Sequence, residues 1–200
     1  VGGAELRDGP EIDMLADALG RLMARREVIV VHGGGPEIAN LQKRLGLQPC
    51  FVDGLRVTDE ESLCVAEMVL SGAVNKRLTA RLVTRGIKAI GLSGVDCGLL
   101  RAEKIRHPKG DLGRVGEIIE VQTACLLELL SLGYAPIISP ISLGSDGRPL
   151  NVNADHAALA IAKALQVHEA IFLTDVPGVM VDGQVVSELS GEQVRQWIET

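Results

Sequence analysis

The chain has 200 residues and a net charge of −6, and it is 46% hydrophobic but only 2% aromatic. A core with so few aromatic rings must be built from Val, Ile, Leu and Ala, as in parallel sheets covered by helices. The negative charge argues against a surface for nucleic acid or for an anionic membrane. No apolar run is long enough to span a membrane and no secretory signal is present, so we expect a cytoplasmic protein.

The four cysteines show no C-x-x-C spacing, and most of them lie in apolar runs. We expect them to be reduced and packed, as is usual in the cytosol. They are Cys50, Cys64, Cys97 and Cys125.

The first predicted elements are a strand end and a helix. Val1-Gly2-Gly3 is typical of a strand that enters a glycine turn, and because the strand itself is missing we expect a chain truncated at its start. A flexible terminus is the alternative. From Pro10 to Arg26, apolar residues recur with helical spacing, acidic residues come first and basic residues last, which predicts an amphipathic helix.

The most informative stretch is VIVVHGGGPEIAN, at 28–40. An apolar run, three glycines, a proline suited to the first helical position and a helical pattern predict a buried strand, a glycine turn and a helix. Backbone N–H groups in such a turn, with the helix dipole behind them, form an anion cradle. A plain tight turn is the alternative. The motif matches neither the dinucleotide fingerprint nor a Walker sequence.

A hairpin and two helices are predicted next. Asp53-Gly54 is a hairpin signal between two short β-type runs. Thr58 and Glu61 match a capping box that starts a helix ending near Leu70, and a second helix is predicted over 73–85.

The middle of the chain predicts two buried strands, at 87–92 and 135–139, and a helix at 123–132. Residues 93–96 form the exit loop of the first strand. Between them, 99–121 alternates loosely around a charged turn, which predicts a β-hairpin flap over one face of the protein.

In the sequence NVNAD at 151–155, small polar residues at alternating positions face one side of an extended segment and then meet a helix. A helix cap is an equally good interpretation of Asp155. A buried strand at 170–173, a hairpin at 179–186 and a helix at 189–198 capped by Ser190 complete the prediction.

Strands alternate with helices, which predicts a three-layer α/β/α fold around a mainly parallel sheet. Ligands of such sheets bind beyond the carboxyl ends of the strands. Four polar clusters follow predicted strands and should therefore meet at one edge. These clusters are residues 32–35, 93–96, 151–155 and 174–178.

Motifs along almost the whole chain occur in the order found in the amino acid kinase family: VGG, VVHGGGPEI, FVDGLRVTDEE, VNK, AIGLSGVD, NVNAD and TDVPGV. GLRVT together with NVNAD resembles the acetylglutamate branch. The resemblance implies an open sheet and two lobes. Residues 1–166 would form an N-terminal lobe for the acyl amino acid and for dimerisation, and 167–200 would begin a C-terminal nucleotide lobe truncated at its end.

The implied reaction moves the γ-phosphoryl group of MgATP to the side-chain carboxylate of N-acetyl-L-glutamate, in arginine biosynthesis. A carboxylate is already ionised at neutral pH, so no general base is needed and the protein has to align two anions. The implied cofactors are ATP and Mg²⁺, with no metal-binding residue assigned. The implied partners are the substrate and further copies of the chain, in a homodimer or a larger homo-oligomer.

The resemblance also implies roles for individual residues. Gly3 and Gly34 would lie beside the phosphoryl group, and Gly34 and Gly35 would contact the substrate. Arg56 would hold the substrate's α-carboxylate, although a solvated surface arginine is the alternative. Asp155 would orient two catalytic lysines.

Asn151 would bind the substrate, with Asn153 close by, and Thr174, Asp175 and Gly178 would belong to the nucleotide-binding turn. No lysine of this chain matches the family's two catalytic lysines, which would lie before Val1 and beyond Thr200. Two other functions stay open: a kinase for aminoadipate derivatives, and a non-catalytic amino-acid-sensing domain.

Overall fold

The fold is described from a computed structural model over residues 1–3, 6–48, 50–52, 55–108, 110–174, 176, 178–181 and 184–198. Within these ranges, the backbone alone is described for Phe51, Leu55, Arg56, Val181, Trp197 and Ile198.

The helices are α1 (Pro10–Met23), α2 (Gly35–Arg44), α3 (Glu60–Glu67), α4 (Asn75–Val83), α5 (Thr123–Ser131), α6 (Ala154–Leu165) and α7 (Gly191–Ile198), with a π-helix at Met68–Val74 and a 3₁₀ turn at Asp96–Gly98. The strands are β1 (Val30–Val31), β2 (Phe51–Val52), β3 (Leu55–Arg56), β4 (Ala89–Gly94), β5 (Leu100–His107), β6 (Gly110–Val121), β7 (Ala135–Gly144), β8 (Pro149–Val152), β9 (Met180–Val181) and β10 (Gln184–Val185).

Strand β7 is the centre of the main sheet. It pairs in parallel with β1, β4 and β5 and antiparallel with β8. Strand β6 pairs antiparallel with β5 and in parallel with β8. The predicted mainly parallel sheet is therefore confirmed, with β5, β6, β8 and the end of β7 paired in a closed circuit.

The sheet separates two apolar cores, because successive residues of a strand face opposite sides. Ile137 and Ile141 of β7 lie in the core shared with α1, the π-helix and α4. Ile138 lies in the core shared with α5 and α6. Helices cover both faces, which confirms the three-layer prediction.

Most predicted elements are confirmed within one turn of their expected ends: the first helix, the strand, glycine turn and helix at 28–44, the helix at 123–131 and both short hairpins. The residues of the Asp53-Gly54 signal lie outside the described part of the chain. At the last helix, Ser190 Oγ accepts a hydrogen bond from Gln193 N at 3.2 Å, and Gln193 Oε1 accepts one from Ser190 N at 2.8 Å. This reciprocal pair confirms the predicted cap.

The predicted break between the helices near 70 and 73 is wrong. The π-helix joins α3 to α4 and buries Val69, Leu70 and Val74. Ser71 Oγ lies 2.8 Å from Ser139 Oγ of β7. Packing against the sheet therefore overrides the breaking tendency of Ser71-Gly72.

The predicted capping box at Thr58 is also wrong. Asp59 caps α3, since its Oδ1 accepts a hydrogen bond from Ser62 N at 2.7 Å. The backbone of Thr58 is instead used by the β6 segment: Thr58 N donates to Leu112 O at 2.9 Å, and Arg114 N donates to Thr58 O at 2.6 Å.

Three further expectations need correction. The hairpin of β5 and β6 is not a separate flap, because Leu100, Ala102 and Val115 are buried and both strands join the main sheet. Residues 170–173 are exposed and form no strand among the described residues. The four thiols are free, but three of them are exposed and Cys125 is half-buried, so the expectation that they are packed is wrong.

An ion pair fastens the turn between β7 and β8. The guanidinium of Arg114, whose side chain is 6% exposed, donates to both carboxylate oxygens of Asp146 at 2.6 and 3.2 Å and to Pro149 O at 2.8 and 3.1 Å. The hydrogen bond from Arg114, helped by one from Arg148 N, lowers the pKa of Asp146 from 3.8 to about 2.

We expect Asp146→Ala to lower the urea midpoint of unfolding at pH 6, because the nearly buried guanidinium loses its anion. A carboxylate with a lower pKa in the folded state stabilises the fold above its unfolded pKa, and this contribution is lost as the pH falls through the folded value. The difference between wild type and variant should therefore shrink between pH 4 and pH 2, a window set by the two pKa values of Asp146. Glu169→Ala, which breaks an exposed pair with Arg26, is the matched control and should change little at either pH. A constant difference across this range would contradict the assignment.

Candidate functional site

Two glycine turns that are distant in the sequence meet in the structure. A methyl group on Gly3 would lie 2.7 Å from Pro36 Cδ and 3.1 Å from Gly34 Cα. A methyl group on Gly34 would lie 2.8 Å from Leu70 Cδ2 of the π-helix. Such distances leave no room for a side chain: Gly3 is restricted by the turn at 34–36, and Gly34 by the side chain of Leu70.

The first residues are aligned beside β1 by backbone hydrogen bonds. Val1 N donates to Val31 O at 2.8 Å, and Gly33 N donates to Val1 O at 3.0 Å. Gly2 N donates to Leu173 O at 3.0 Å. The glycine turns therefore lie beside the segment that leads to the predicted nucleotide-binding turn.

The N-terminus of α6 lies against the same turn. Ala154 Cβ is 3.7 Å from the position that a methyl group on Gly33 would take. Asn153 Oδ1 accepts hydrogen bonds from Asp155 N at 2.8 Å and His156 N at 3.2 Å, so Asn153 is the N-cap. The interpretation of Asp155 as the cap is wrong, and its carboxyl group lies exposed in the first helical turn.

The electrostatics of this region favour an anion. Helix α2 begins at Gly35 and α6 begins at Ala154, so two helix N-termini converge on the glycine turn. Each N-terminus carries a partial positive charge. The first N–H groups of α2 have no side-chain cap, whereas Asn153 already accepts from two N–H groups of α6. The predicted anion cradle therefore has the field it requires.

Asn151 is connected to the hairpin that carries Arg56. Asn151 Nδ2 donates to Thr58 Oγ1 at 3.3 Å, and the side chain of Thr58 is buried. Two residues span at most about 7 Å, so the backbone of Arg56 is held near Asn151. The guanidinium of Arg56 lies outside the described part of the structure.

The remaining predicted residues are only loosely connected to the glycine turns. Thr174 is exposed, and its Oγ1 accepts a hydrogen bond from Val176 N at 3.5 Å. Gly178 is half-buried, and Asp175 lies outside the described residues. Strand β4 extends to Gly94, so the predicted exit loop at 93–96 is partly strand. Asp96 Oδ2 accepts hydrogen bonds from Ser93 N at 2.6 Å and Ser93 Oγ at 2.9 Å, which closes this exit on itself.

Sequence reasoning missed two buried polar residues behind the glycine turn. His32 lies 3.0 Å from Gly33 O through Nδ1 and 3.0 Å from Asn75 Nδ2 through Nε2. Burial lowers the pKa of His32 from 6.5 to about 4, so the imidazole is neutral at physiological pH. The available signals were His32 at the end of an apolar run and Asn75 in the VNK motif.

Lys76 is exposed and donates to Gly91 O at 2.8 Å and to Asn75 Oδ1 at 3.2 Å. Over the residues that the structure describes, no group of three or more His, Cys, Asp or Glu side chains could hold a metal ion.

Comparison with known proteins agrees with these observations. The model of the amino acid kinase family matches residues 1–199. Acetylglutamate kinase of Roseiflexus sp. (strain RS-1) is 50% identical over 198 residues, which cover 99% of this chain and 75% of that protein. Acetylglutamate kinase of Chloroflexus aurantiacus is 48% identical over 199 residues, which cover 99% of this chain and 78% of that protein.

Among solved structures, N-acetylglutamate synthase of Neisseria gonorrhoeae, complexed with coenzyme A and L-arginine, superposes with a TM-score of 0.84 at 27% identity. The match covers 99% of this chain and 48% of that one. Because the family model spans nearly every residue and the close relatives align over nearly the whole chain, the chain belongs to the amino acid kinase family.

Proposed function

We propose that this protein is a kinase that transfers the γ-phosphoryl group of ATP to the side-chain carboxylate of N-acetyl-L-glutamate, giving an acyl phosphate for arginine biosynthesis. The observation that carries the proposal is the contact between the glycine turns at Gly3 and Gly34, at the point where two helix N-termini converge. Relatives that are about half identical in sequence carry the same activity in their names.

In this mechanism an oxygen of the substrate carboxylate attacks the γ-phosphorus in line, and the bond to the bridging oxygen of ADP breaks. No proton has to be removed from the carboxylate, because it is ionised at neutral pH. The protein must hold two anions together while negative charge shifts between them. Backbone N–H groups of Gly3 and Gly34 suit this task, because they add positive potential without the bulk of a side chain.

The other residues divide between substrate and nucleotide. We propose that Arg56 binds the α-carboxylate as a bidentate pair and that Asn151 binds the acyl amino acid beside it. Gly35 and Asn153 would contact the same substrate at the helix N-termini. Asp155 would orient catalytic lysines of the family that have no counterpart in residues 1–200.

Thr174, Asp175 and Gly178 would contact the nucleotide, as part of a second lobe that begins near residue 167. We propose that Mg²⁺ is held mainly by the phosphates of ATP, since this ion keeps several waters and commonly binds through substrate phosphates. Its role when bound is to neutralise charge on the phosphoryl oxygens.

The same proposal extends to the assembly, the location and the partners of the protein. The N-terminal lobe would form a homodimer or a larger homo-oligomer, and the protein would act in the cytoplasm. No described helix is long and apolar enough to cross a membrane, and the net charge of −6 does not favour nucleic acid as a partner.

The sensing alternative is favoured by one observation, the similarity to an N-acetylglutamate synthase complexed with L-arginine. However, this sequence is 27% identical to the synthase and about 50% identical to the kinases. A kinase for aminoadipate derivatives is the nearest alternative of the same class.

We expect the full-length protein, incubated with ATP, Mg²⁺ and N-acetyl-L-glutamate, to form an acyl phosphate that hydroxylamine traps as a hydroxamate. Reactions without ATP, or with acetylated aminoadipate in place of the substrate, are the controls and should give little product. Product from the aminoadipate compound alone would move the function to the alternative kinase. Binding of L-arginine without any product would favour the sensor.

Arg56→Ala and Asp155→Asn should have different kinetic effects. Loss of a buried charge-assisted partner costs on the order of 2–5 kcal/mol, so Arg56→Ala should raise the KM for acetylglutamate more than about tenfold while the KM for ATP changes little. Asp155→Asn should lower kcat with smaller effects on either KM, because its proposed partners act on the transferred group.

Steady-state kinetics of the full-length variants measure both effects. Arg21→Ala on the exposed face of α1 is a matched control for the loss of an arginine and should leave all constants near those of the wild type. An unchanged acetylglutamate KM in Arg56→Ala would return Arg56 to the interpretation as a solvated surface charge.

A further inference from the structure

The imidazole of His32 lies between the apolar core and the glycine turn. The side chain is fully buried. Its Nδ1 atom is 3.0 Å from the carbonyl oxygen of Gly33, the next residue, and its Nε2 atom is 3.0 Å from Asn75 Nδ2. His32 N also donates to Ile138 O of β7 at 3.1 Å, so the residue is fixed through both its backbone and its ring.

These contacts define one tautomer of the imidazole. A carbonyl oxygen can only accept, so Nδ1 must carry the proton and donate it to Gly33 O. An amide NH₂ group can only donate, so Nε2 must accept from Asn75. The orientation of the Asn75 amide is itself fixed, because its Oδ1 accepts from Lys76 Nζ at 3.2 Å and its Nδ2 faces only acceptors. The two hydrogens of Nδ2 are shared among His32 Nε2, Ile137 O at 2.8 Å and Leu92 O at 3.2 Å.

The carbonyl group that accepts the hydrogen bond from His32 Nδ1 belongs to the peptide unit shared by Gly33 and Gly34. A peptide unit is planar and trans, so its C=O and N–H groups point in opposite directions. When the Gly33 carbonyl is held toward the buried ring, the Gly34 N–H must point away from it. Glycines have no side chain to restrict this rotation, so a peptide between two of them needs support from elsewhere.

We propose that His32 is a positioning residue that orients the Gly34 N–H toward the phosphoryl group, and that Asn75 holds the imidazole in the tautomer that makes this possible. The identity of the acceptor, a phosphoryl group, rests on the proposed function. The orientation of the Gly34 N–H does not depend on it. Asn75 also lies against β4 and β7, so the amide joins the glycine turn to the centre of the sheet.

Two substitutions at position 32 separate the two contacts. Asparagine can place its NH₂ group where Nδ1 lies, which keeps the donor to Gly33 O and loses the acceptor for Asn75. Glutamine can place its carbonyl oxygen where Nε2 lies, which keeps the acceptor and loses the donor. If His32 were merely structural, both losses would lower kcat. If His32 is a positioning residue, kcat should fall mainly when the donor to Gly33 O is lost.

We expect His32→Asn to keep kcat for acetylglutamate within about threefold of wild type and His32→Gln to lower it about tenfold or more, since one decade corresponds to about 1.4 kcal/mol, the size of a single hydrogen bond. The KM for acetylglutamate should change less than kcat in both. His168→Asn and His168→Gln, on an exposed residue, form a matched control pair and should not differ. Equal losses of kcat in the two His32 variants would overturn the proposal.

A second readout needs no activity. In ¹⁵N-labelled full-length protein, the Gly34 amide resonance should stay near its wild-type position in His32→Asn and shift in His32→Gln. In histidine ¹⁵N spectra of the wild type, the imidazole of His32 should have Nδ1 protonated and Nε2 unprotonated. The opposite tautomer would overturn the proposal even if neither variant folds. If wild type forms no acyl phosphate while these spectra are as expected, the proposed function fails and the orienting role of His32 stands.

Discussion

The close approach of Gly3 and Gly34 is the constraint on which the site depends. A methyl group on Gly3 would lie 3.1 Å from Gly34 Cα, and one on Gly34 would lie 2.8 Å from Leu70 Cδ2, so neither residue can carry a side chain unless its neighbours move. The approach is maintained by elements on both sides: the Val1 segment bonds to β1, and the π-helix packs against Gly34 through Leu70. Much of the surrounding fold therefore acts as a support that holds two lengths of bare backbone together.

The π-helix has a specific part in this support. A regular helix with the break that the sequence suggests would have placed Val69, Leu70 and Val74 differently with respect to the sheet. The observed segment buries all three and brings Asn75 to the level of Leu92 and Ile137. π-turns within α-helices are frequent at functional sites, and here the irregularity supplies both the apolar wall of the glycine turn and the amide behind it.

Sequence patterns predicted the architecture well because the signals were strong and local. Uninterrupted apolar runs and glycine-rich exits identify parallel strands, and the periodicity of α1 leaves little choice of structure. The failures have a common physical cause in tertiary contacts. Thr58 has the sequence signature of a cap, but its backbone is used by the β6 segment, and the cap passes to Asp59.

The candidate site was predictable only in part for the same reason. Motif resemblance identified the glycines and the NVNAD stretch, and the structure brings these together at one edge. It did not identify His32 or Asn75, because a buried polar residue is recognisable only by its partners, and these lie 43 residues apart in sequence. Residues 170–173 show the opposite error, because a buried strand was predicted where the structure has exposed residues. An apolar run indicates burial but does not identify the element that would cover it.

The two polar side chains behind the glycine turn, His32 and Asn75, carry no net charge. His32 is neutral because burial opposes its protonation and lowers its pKa to about 4. The positive potential comes from N–H groups and helix dipoles, which do not titrate. A lysine or arginine in the same position would add bulk where the backbones touch and would have to be desolvated beside the core. A neutral scaffold therefore suits a reaction in which two anions must come close and in which the distribution of charge, rather than its total, changes at the transition state.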